Sequence, residues 1–277
     1  MAEIKLIASD LDGTLLTSDK KITPRLLSAL EKAVEKGISF VPATGRVFES
    51  IPESIKTMPF LKYVICSNGA VIYDAVEKKN IIENYLDEKA VEETMDVLEG
   101  RNVVVEIFKD GKAYTDRKVY ENLSDYGIFG GHAEYVLTTR LPVDDLYEEI
   151  KKCRNCLENI NLIFNDDDER MEVWRLLKEK NHASVTTSAH NNIEVTAKKA
   201  TKANALSDLC KMLDIEKENV IAFGDSNNDI DMIEFSGIGV AMANGDDEIK
   251  NKADIITENC DNFGVAVILE KIINNEF

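Results

Sequence analysis

No apolar run in the chain approaches the roughly 20 residues that a membrane-spanning helix needs. The N-terminus, MAEIKLIASDLDG, also lacks the basic stretch and long apolar stretch of a secretory signal. A cytoplasmic protein is the expectation. Positive charge is scarce, with 33 Lys and Arg against 51 Asp and Glu and a net charge of −18. So acidic a chain offers no broad basic face, and neither nucleic acid nor an anionic membrane is expected as a partner. An anionic substrate would have to meet a local cation, because the overall field repels it. Histidine is rarer still: His132, His182 and His190 are dispersed and form no ligand cluster. The five cysteines are an odd number and fit a reducing compartment. Cys153 and Cys156 form a C-x-x-C, but inside YEEIKKCRNCLENI, which reads as a helix without a second ligand pair or a thioredoxin-like context. Internal repeats and low-complexity segments are absent.

What is present is a chain of 277 residues, 44% hydrophobic, with room for one large domain or two smaller ones. Its first part alternates strand and helix. IKLIASD reads as a buried strand, and TPRLLSALEKAVEKG as a helix with Thr23 as cap, Pro24 at its first position and Gly37 after its end. ISFVPATG and KYVICSNGA read as two further strands, with a broken helix between them. From about Tyr85 to His190 helices alternate instead with extended segments and a hairpin around Asp110-Gly111. After NNIEVTAKK the strand–helix rhythm returns. The expected class is α/β: a doubly wound, Rossmann-like parallel-sheet core of residues 1–84 and 191–277, interrupted by an inserted α+β cap over 85–190.

Four elements fall at the carboxyl ends of expected core strands or at the start of the helix after the insertion. They are Asp10-x-Asp12-Gly13-Thr14, Thr44-Gly45-Arg46, Lys202 and Gly224-Asp225-x-x-x-Asp229. In an open parallel sheet, ligands bind in the crevice at those strand ends. If the first strand and VIAFGD are neighbours, Asp10, Asp12, Asp225 and Asp229 converge there, and so much negative charge calls for a cation. Oxygen ligands without His or Cys select a hard ion, Mg²⁺ before others. Lys202 and the Thr44 hydroxyl would supply the charge and donor that a phosphoryl group needs.

In this order, DLDGT, TGR, a downstream lysine and GDSNND resemble the four motifs of the haloacid dehalogenase superfamily of phosphohydrolases. CSNGA, IEVTAKKATKANAL, GDSNNDIDMIE and GVAMANG are similar to its Cof-type branch, and the resemblance spans essentially the whole chain. It implies a Mg²⁺-dependent phosphatase for a small phosphorylated metabolite, sugar phosphates included. Asp10 would be the nucleophile, forming an aspartyl-phosphate, and Asp12 the general acid and then base. The metal would be held by Asp10, the backbone carbonyl of Asp12 and Asp225, with Asp229 in support. Thr44, Gly45 and Lys202 would hold the phosphoryl oxygens, with Asn228 near the substrate. The chain departs from the family pattern at Ala197–Ala203, where two glycines and a proline are missing and Lys198 and Lys199 compete with Lys202. It departs again at Ala241-Met242-Ala243-Asn244-Gly245.

Other features have plainer explanations. Asp225 and Asp229 alone would read as helix N-terminal acids. Arg46 reads as a capping or pairing residue and stays outside the catalytic set. Asp166, Asp167 and Asp168 read as a solvated helix start, and Trp174 as core. Two alternatives to the phosphatase stand: a phosphosugar mutase, which needs a cationic cap site among Arg117, Lys118, Arg140, Arg154, Arg170 and Arg175, and a catalytically silent phosphate-binding regulatory module.

Overall fold

Leu6, Ile7, Ala8 and Ser9 are all fully buried, the signature of a strand covered on both faces in a parallel sheet. A computed structural model describes residues 3–276 of the chain. In chain order its strands begin β1 (Leu6–Ser9), β2 (Ser39–Pro42), β3 (Tyr63–Cys66), β4 (Val71–Asp74) and β5 (Lys79–Glu83). They continue with β6 (Val104–Lys109), β7 (Lys112–Asp116), β8 (Arg140–Val143), β9 (Asn159–Ile163), β10 (Ala183–Thr186) and β11 (Asn192–Ala197). The last are β12 (Val220–Gly224), β13 (Ile238–Ala241) and β14 (Ile255–Ile256). The chain divides into two units, one holding the chain up to Gly45, Ile51–Ile82 and everything from Thr201, the other Arg46–Ser50 and Glu83–Ala200.

The first unit is an α/β fold on a five-stranded parallel sheet of order β14-β13-β12-β1-β2. Leu6, Ala8, Val41, Val220 and Ala222 pack against Ala205, Leu206, Leu209 and Cys210 of the helix Lys202–Leu213. Burying a leucine side chain there is worth about 1.5–3 kcal/mol. The helix Pro24–Glu35 starts as its sequence dictates, with the Thr23 side chain accepting from the Leu26 amide and Pro24 in the first turn. It packs against the C-terminal helix Gly264–Ile273. β3 differs from expectation. It pairs antiparallel with β4 and joins β2 only through a single parallel bridge, Ala43 to Ile65. The cause is local: Ser67, Asn68 and Gly69 all have positive φ (49°, 54° and 93°), which turns the chain straight back.

The second unit is α+β, with a six-stranded sheet of order β10-β11-β9-β6-β7-β8. Its pairings are antiparallel except β7 with β8. Asp110 and Gly111, with φ of 53° and 68°, form the β6–β7 hairpin turn that an Asp-Gly pair favours. Ile107, Ile160, Leu162, Ile193 and Val195 form its core with Leu98, Val173 and Leu177 of the helices Glu88–Leu98 and Asp167–Lys180. β11, whose sequence reads with the returning core, pairs between β9 and β10 in this sheet. The helix at the C-x-x-C ends at Lys152, so both cysteines lie just beyond it rather than within it. Burial pushes the Cys153 thiol up to about 12, and its Sγ sits on the Glu149 carbonyl, which leaves it inert at neutral pH. Asp166 accepts from the Glu169 amide as the cap of the next helix, which accounts for the acidic run. Among the described residues no helix is long and apolar enough to cross a membrane.

Candidate active site

β1 and β12 are hydrogen-bonded neighbours, with Ser9 opposite Phe223, and the Asp10 amide donates to the Phe223 carbonyl at 3.0 Å. Asp10 and Asp225 therefore leave the sheet side by side, each one residue past its strand. Asp229 closes the turn Asn227–Asp229, where its Oδ2 accepts from the amides of Asp225 (3.0 Å) and Ser226 (3.1 Å). This approach needs glycine at 224, since a Cβ there would lie 2.4 Å from that of Asp229. Gly13 is required for a second reason. Its φ is +88°, and a Cβ would stand 2.5 Å from Asp225 Oδ2.

Thr201 caps the helix Lys202–Leu213 by accepting from the Asn204 amide, which sets Lys202 in the first turn. Its side chain is buried, and Nζ donates to Asp10 Oδ1 and Asp229 Oδ1, both at 2.6 Å. Lys198 and Lys199 lie exposed in the preceding turn. One carboxylate oxygen from each of Asp10, Asp225 and Asp229 lies within 4.8 Å of the others. Two buried acids and the half-buried Asp225 thus face one ammonium. Burial raises Asp10 well above the usual carboxylate range; Lys202 opposes this, and the charges of Asp229, Asp225 and Asp12 add to it. Asp225 is pushed up to about 7 by burial and by Asp229, against the Thr14 hydrogen bond and Lys202. Oxygen ligands short of positive charge fit a hard cation, and the trio could hold a metal ion.

The remaining expected residues fall as follows. Asp12 lies outside the trio, a third exposed, with Lys20 Nζ 2.8 Å from its Oδ1. Thr44 is buried past the end of β2, its amide on the Ile65 carbonyl and its carbonyl accepting from the Asn68 amide; Gly45 follows it. Asn228 donates to Asn68 Oδ1 (2.9 Å) and accepts from the Ser226 hydroxyl (2.8 Å). Arg46 belongs to the second unit, where its guanidinium stacks 4.7 Å from the Tyr135 ring and donates to the Ser50 carbonyl.

Three residues to which the sequence assigns no role support these groups. Thr14 donates to Asp225 Oδ1 at 2.7 Å. Asn68 orients Asn228 from within the CSNGA turn, and a Cβ on Gly69 of that turn would meet the Thr201 carbonyl at 2.2 Å. Asn244 donates to the Gly13 carbonyl (2.8 Å) and accepts from the Cys260 amide (2.9 Å), which gives AMANG a structural task. All three sit in stretches whose sequence stands out, but their partners lie too far along the chain to be read locally.

The family model for haloacid dehalogenase-like hydrolases matches residues 7–269. The chain is 30% identical to the phosphatase YwpJ of Bacillus subtilis, over 98% of this chain and 100% of that protein. It is 32% identical to YcsE of the same organism, a 5-amino-6-(5-phospho-D-ribitylamino)uracil phosphatase, over 95% of this chain and 94% of that one. The solved structure of a haloacid dehalogenase-like hydrolase from B. subtilis matches with a TM-score of 0.86 at 30% identity, covering 96% of this chain and 99% of that one. With the acid–lysine cluster at its strand ends, the chain belongs to the haloacid dehalogenase-like hydrolase family and is one of its phosphatases.

Proposed function

We propose that the first unit hydrolyses a small phosphorylated metabolite through an aspartyl-phosphate on Asp10, with Mg²⁺, and that the second unit is the cap that selects the leaving group. The observation that carries this is the buried Lys202 ammonium on the Asp10 carboxylate, with Asp225 and Asp229 alongside. Asp10, Asp225 and the Asp12 carbonyl would hold Mg²⁺, with Asp229 in support; when bound, the ion supplies charge neutralisation to the phosphoryl group. An Asp10 oxygen attacks phosphorus and the bond to the ester oxygen breaks, with the Asp12 proton passing to the departing alkoxide. Asp12 then takes a proton from water, whose oxygen attacks the phosphoryl group and frees inorganic phosphate and Asp10. Lys202 holds a phosphoryl oxygen together with the Thr44 hydroxyl and the Gly45 backbone, and Asn228 contacts the substrate.

The phosphatase reading is preferred to the mutase, for which Lys118, exposed on the helix Arg117–Glu121, is the remaining cationic candidate. The five arginines that were candidates for a distal phosphate site are each committed to acids: Arg117 to Asp144, Arg140 to Glu106, Arg154 to Glu88 and Glu92, Arg170 to Asp167 and Arg175 to Glu179. The silent module would leave the acid trio and its buried lysine without a purpose.

EDTA is expected to abolish phosphate release and added Mg²⁺ to restore it. The metal's effect should also depend on pH. A carboxyl raised to about 7 in the folded state stabilises the metal-free fold at low pH, and that contribution is lost as pH rises from about 4 through about 7. Mg²⁺ must displace that proton. The Mg²⁺-induced rise in Tm should therefore be larger at pH 8 than at pH 5.5, and an equal rise at both would defeat the assignment of Asp225 as a ligand.

Asp12→Asn separates acid–base chemistry from metal binding, because it keeps the nucleophile and the backbone carbonyl. Turnover of alkyl phosphates should fall by about 10²–10⁴-fold. With p-nitrophenyl phosphate, whose leaving group needs no proton, stopped flow should show a burst of about one p-nitrophenolate per site before slow turnover. Equal slowing of both substrates without a burst would remove the acid–base role.

A further inference from the structure

The turn between β3 and β4 is stranger than its task requires. The last pair of the two strands is Cys66 with Val71, and an Asn-Gly pair such as Asn68-Gly69 closes a hairpin unaided. Here Ser67 joins them at positive φ, so that three consecutive residues stand at 49°, 54° and 93°. Glycine takes such angles freely and asparagine tolerates them, but a serine held there is strained. Strain of this kind is on the order of 1–3 kcal/mol for a residue and gathers at functional sites, where the surrounding structure holds it. The turn is also buried, with Ser67 and Ala70 fully covered and Asn68 3% exposed, whereas connecting segments ordinarily run over the surface.

What the strained angles achieve is contact with three separate segments, all within the first unit. The Asn68 amide donates to the Thr44 carbonyl at 3.0 Å, while the Thr44 amide donates to the Ile65 carbonyl at 2.9 Å, so Thr44 is held through both of its backbone groups. Asn68 Oδ1 accepts from Asn228 Nδ2 at 2.9 Å, and Asn228 Oδ1 accepts from the Ser226 hydroxyl at 2.8 Å. Gly69 packs so closely on the Thr201 carbonyl that a Cβ would stand 2.2 Å from it, and Thr201 caps the helix that begins at Lys202. The sheet does not supply these links. β1 lies between β2 and β12, so no strand pairing joins the chain that leads to Thr44 with the chain that leads to Asn228.

We propose that Asn68 is a positioning residue for phosphoryl transfer, and that the Ser67–Gly69 turn is the frame that fixes Thr44, Lys202 and Asn228 relative to one another; their contact with the phosphoryl end of the substrate rests on the function proposed above. Donors aimed at a phosphoryl group act best when they are held in place before it arrives, and a displacement of about 1 Å can lower the rate about 10²-fold. A short, buried turn with little conformational freedom meets that need. Asn68 is its central member, since its backbone amide serves Thr44 and its side chain serves Asn228.

Asn68→Gly tests this, because glycine adopts the same φ and keeps the amide that meets Thr44, while the side-chain link to Asn228 is lost. With saturating Mg²⁺, kcat/KM for p-nitrophenyl phosphate should fall about tenfold, the scale of one lost hydrogen bond. The frame holds the group that all esters share, so phenyl phosphate, with its poorer leaving group, should lose the same factor. Asn228→Ala and the double variant complete a cycle. Asn228→Ala should lower kcat/KM by itself, and adding Asn68→Gly should lower it no further, since the two side chains act as one unit. An asparagine that serves only the fold would lower Tm and leave kcat/KM unchanged. If Asn68→Gly does not fold, Asn68→Ser takes its place in the cycle, since serine holds such an angle at 67. An unchanged kcat/KM, additive losses, a loss confined to one leaving group, or an Asn228→Ala with full turnover each overturn the proposal. An Asp10→Asn variant that stays active would instead remove the aspartyl-phosphate reading, with the cycle still deciding whether Asn68 acts through Asn228.

Discussion

Asp10→Asn is expected to lower turnover of every phosphate ester by at least about 10⁴-fold, the scale on which losing a covalent nucleophile is felt, while leaving the metal-free protein as stable as wild type or more so. The two halves of this result have one origin. Asp10 is buried beside two further acids, and its carboxyl is driven well above the usual range by that burial and, more weakly, by its neighbours' charge. Keeping it ionised at pH 8 works against the fold. Asparagine has nearly the same shape and no charge, so that opposition disappears, and Lys202 keeps Asp229 at 2.6 Å. Thermal melts in EDTA at pH 8, beside steady-state assays with Mg²⁺, measure both. A clear drop in Tm would mean that the Asp10–Lys202 pair outweighs the acid–acid repulsion, and residual activity within 100-fold of wild type would remove Asp10 as nucleophile.

Lys202→Met should act in the opposite direction on stability. It removes the one ammonium that Asp10 and Asp229 share and leaves these two buried acids and the half-buried Asp225 with carboxylate oxygens within 4.8 Å of one another. Breaking a buried ion pair from one side costs about 3–5 kcal/mol, because the surviving charge is both desolvated and unpaired. Lys202 itself stays charged throughout the neutral range: burial opposes its charge, but Asp10 and Asp229 raise its pKa above the ordinary lysine value. The variant's acids can escape only by taking up protons. Its loss of Tm should therefore be largest near pH 8 and shrink towards pH 5, since carboxyls with raised folded pKa stabilise the fold only while protonated. Mg²⁺ should recover part of the lost Tm without restoring turnover, because the cation replaces charge but not the phosphoryl contact. A variant that melts with wild type at pH 8 would show that Lys202 does not balance the trio.

Much of the first unit is legible in the sequence. The apolar run before Asp10 reads as a covered strand, and Thr23-Pro24 marks the start of a helix where the structure has one. DLDGT, TGR and GDSNND stand at the ends of strands or just beyond them. Each of these signals concerns residues within one or two turns of one another, where dihedral preference and alternation of burial act directly.

The sequence by itself therefore determined the family, the element types and the set of acids from which a phosphoryl site could be built. Tertiary structure alone decided which lysine meets them. Lys198, Lys199 and Lys202 are equivalent as charges along the chain, and only the helix start set by Thr201 and the Ser67–Gly69 turn carries one of them inward. The structure likewise put β11 into the second unit's sheet and reversed β3 through three positive-φ residues. It also set Asn68 between Thr44 and Asn228. The reason is common to all. Strand register and helix packing join residues separated by tens to hundreds of positions, and pairing across such distances is settled by the burial and hydrogen bonding of whole elements, which no local pattern encodes.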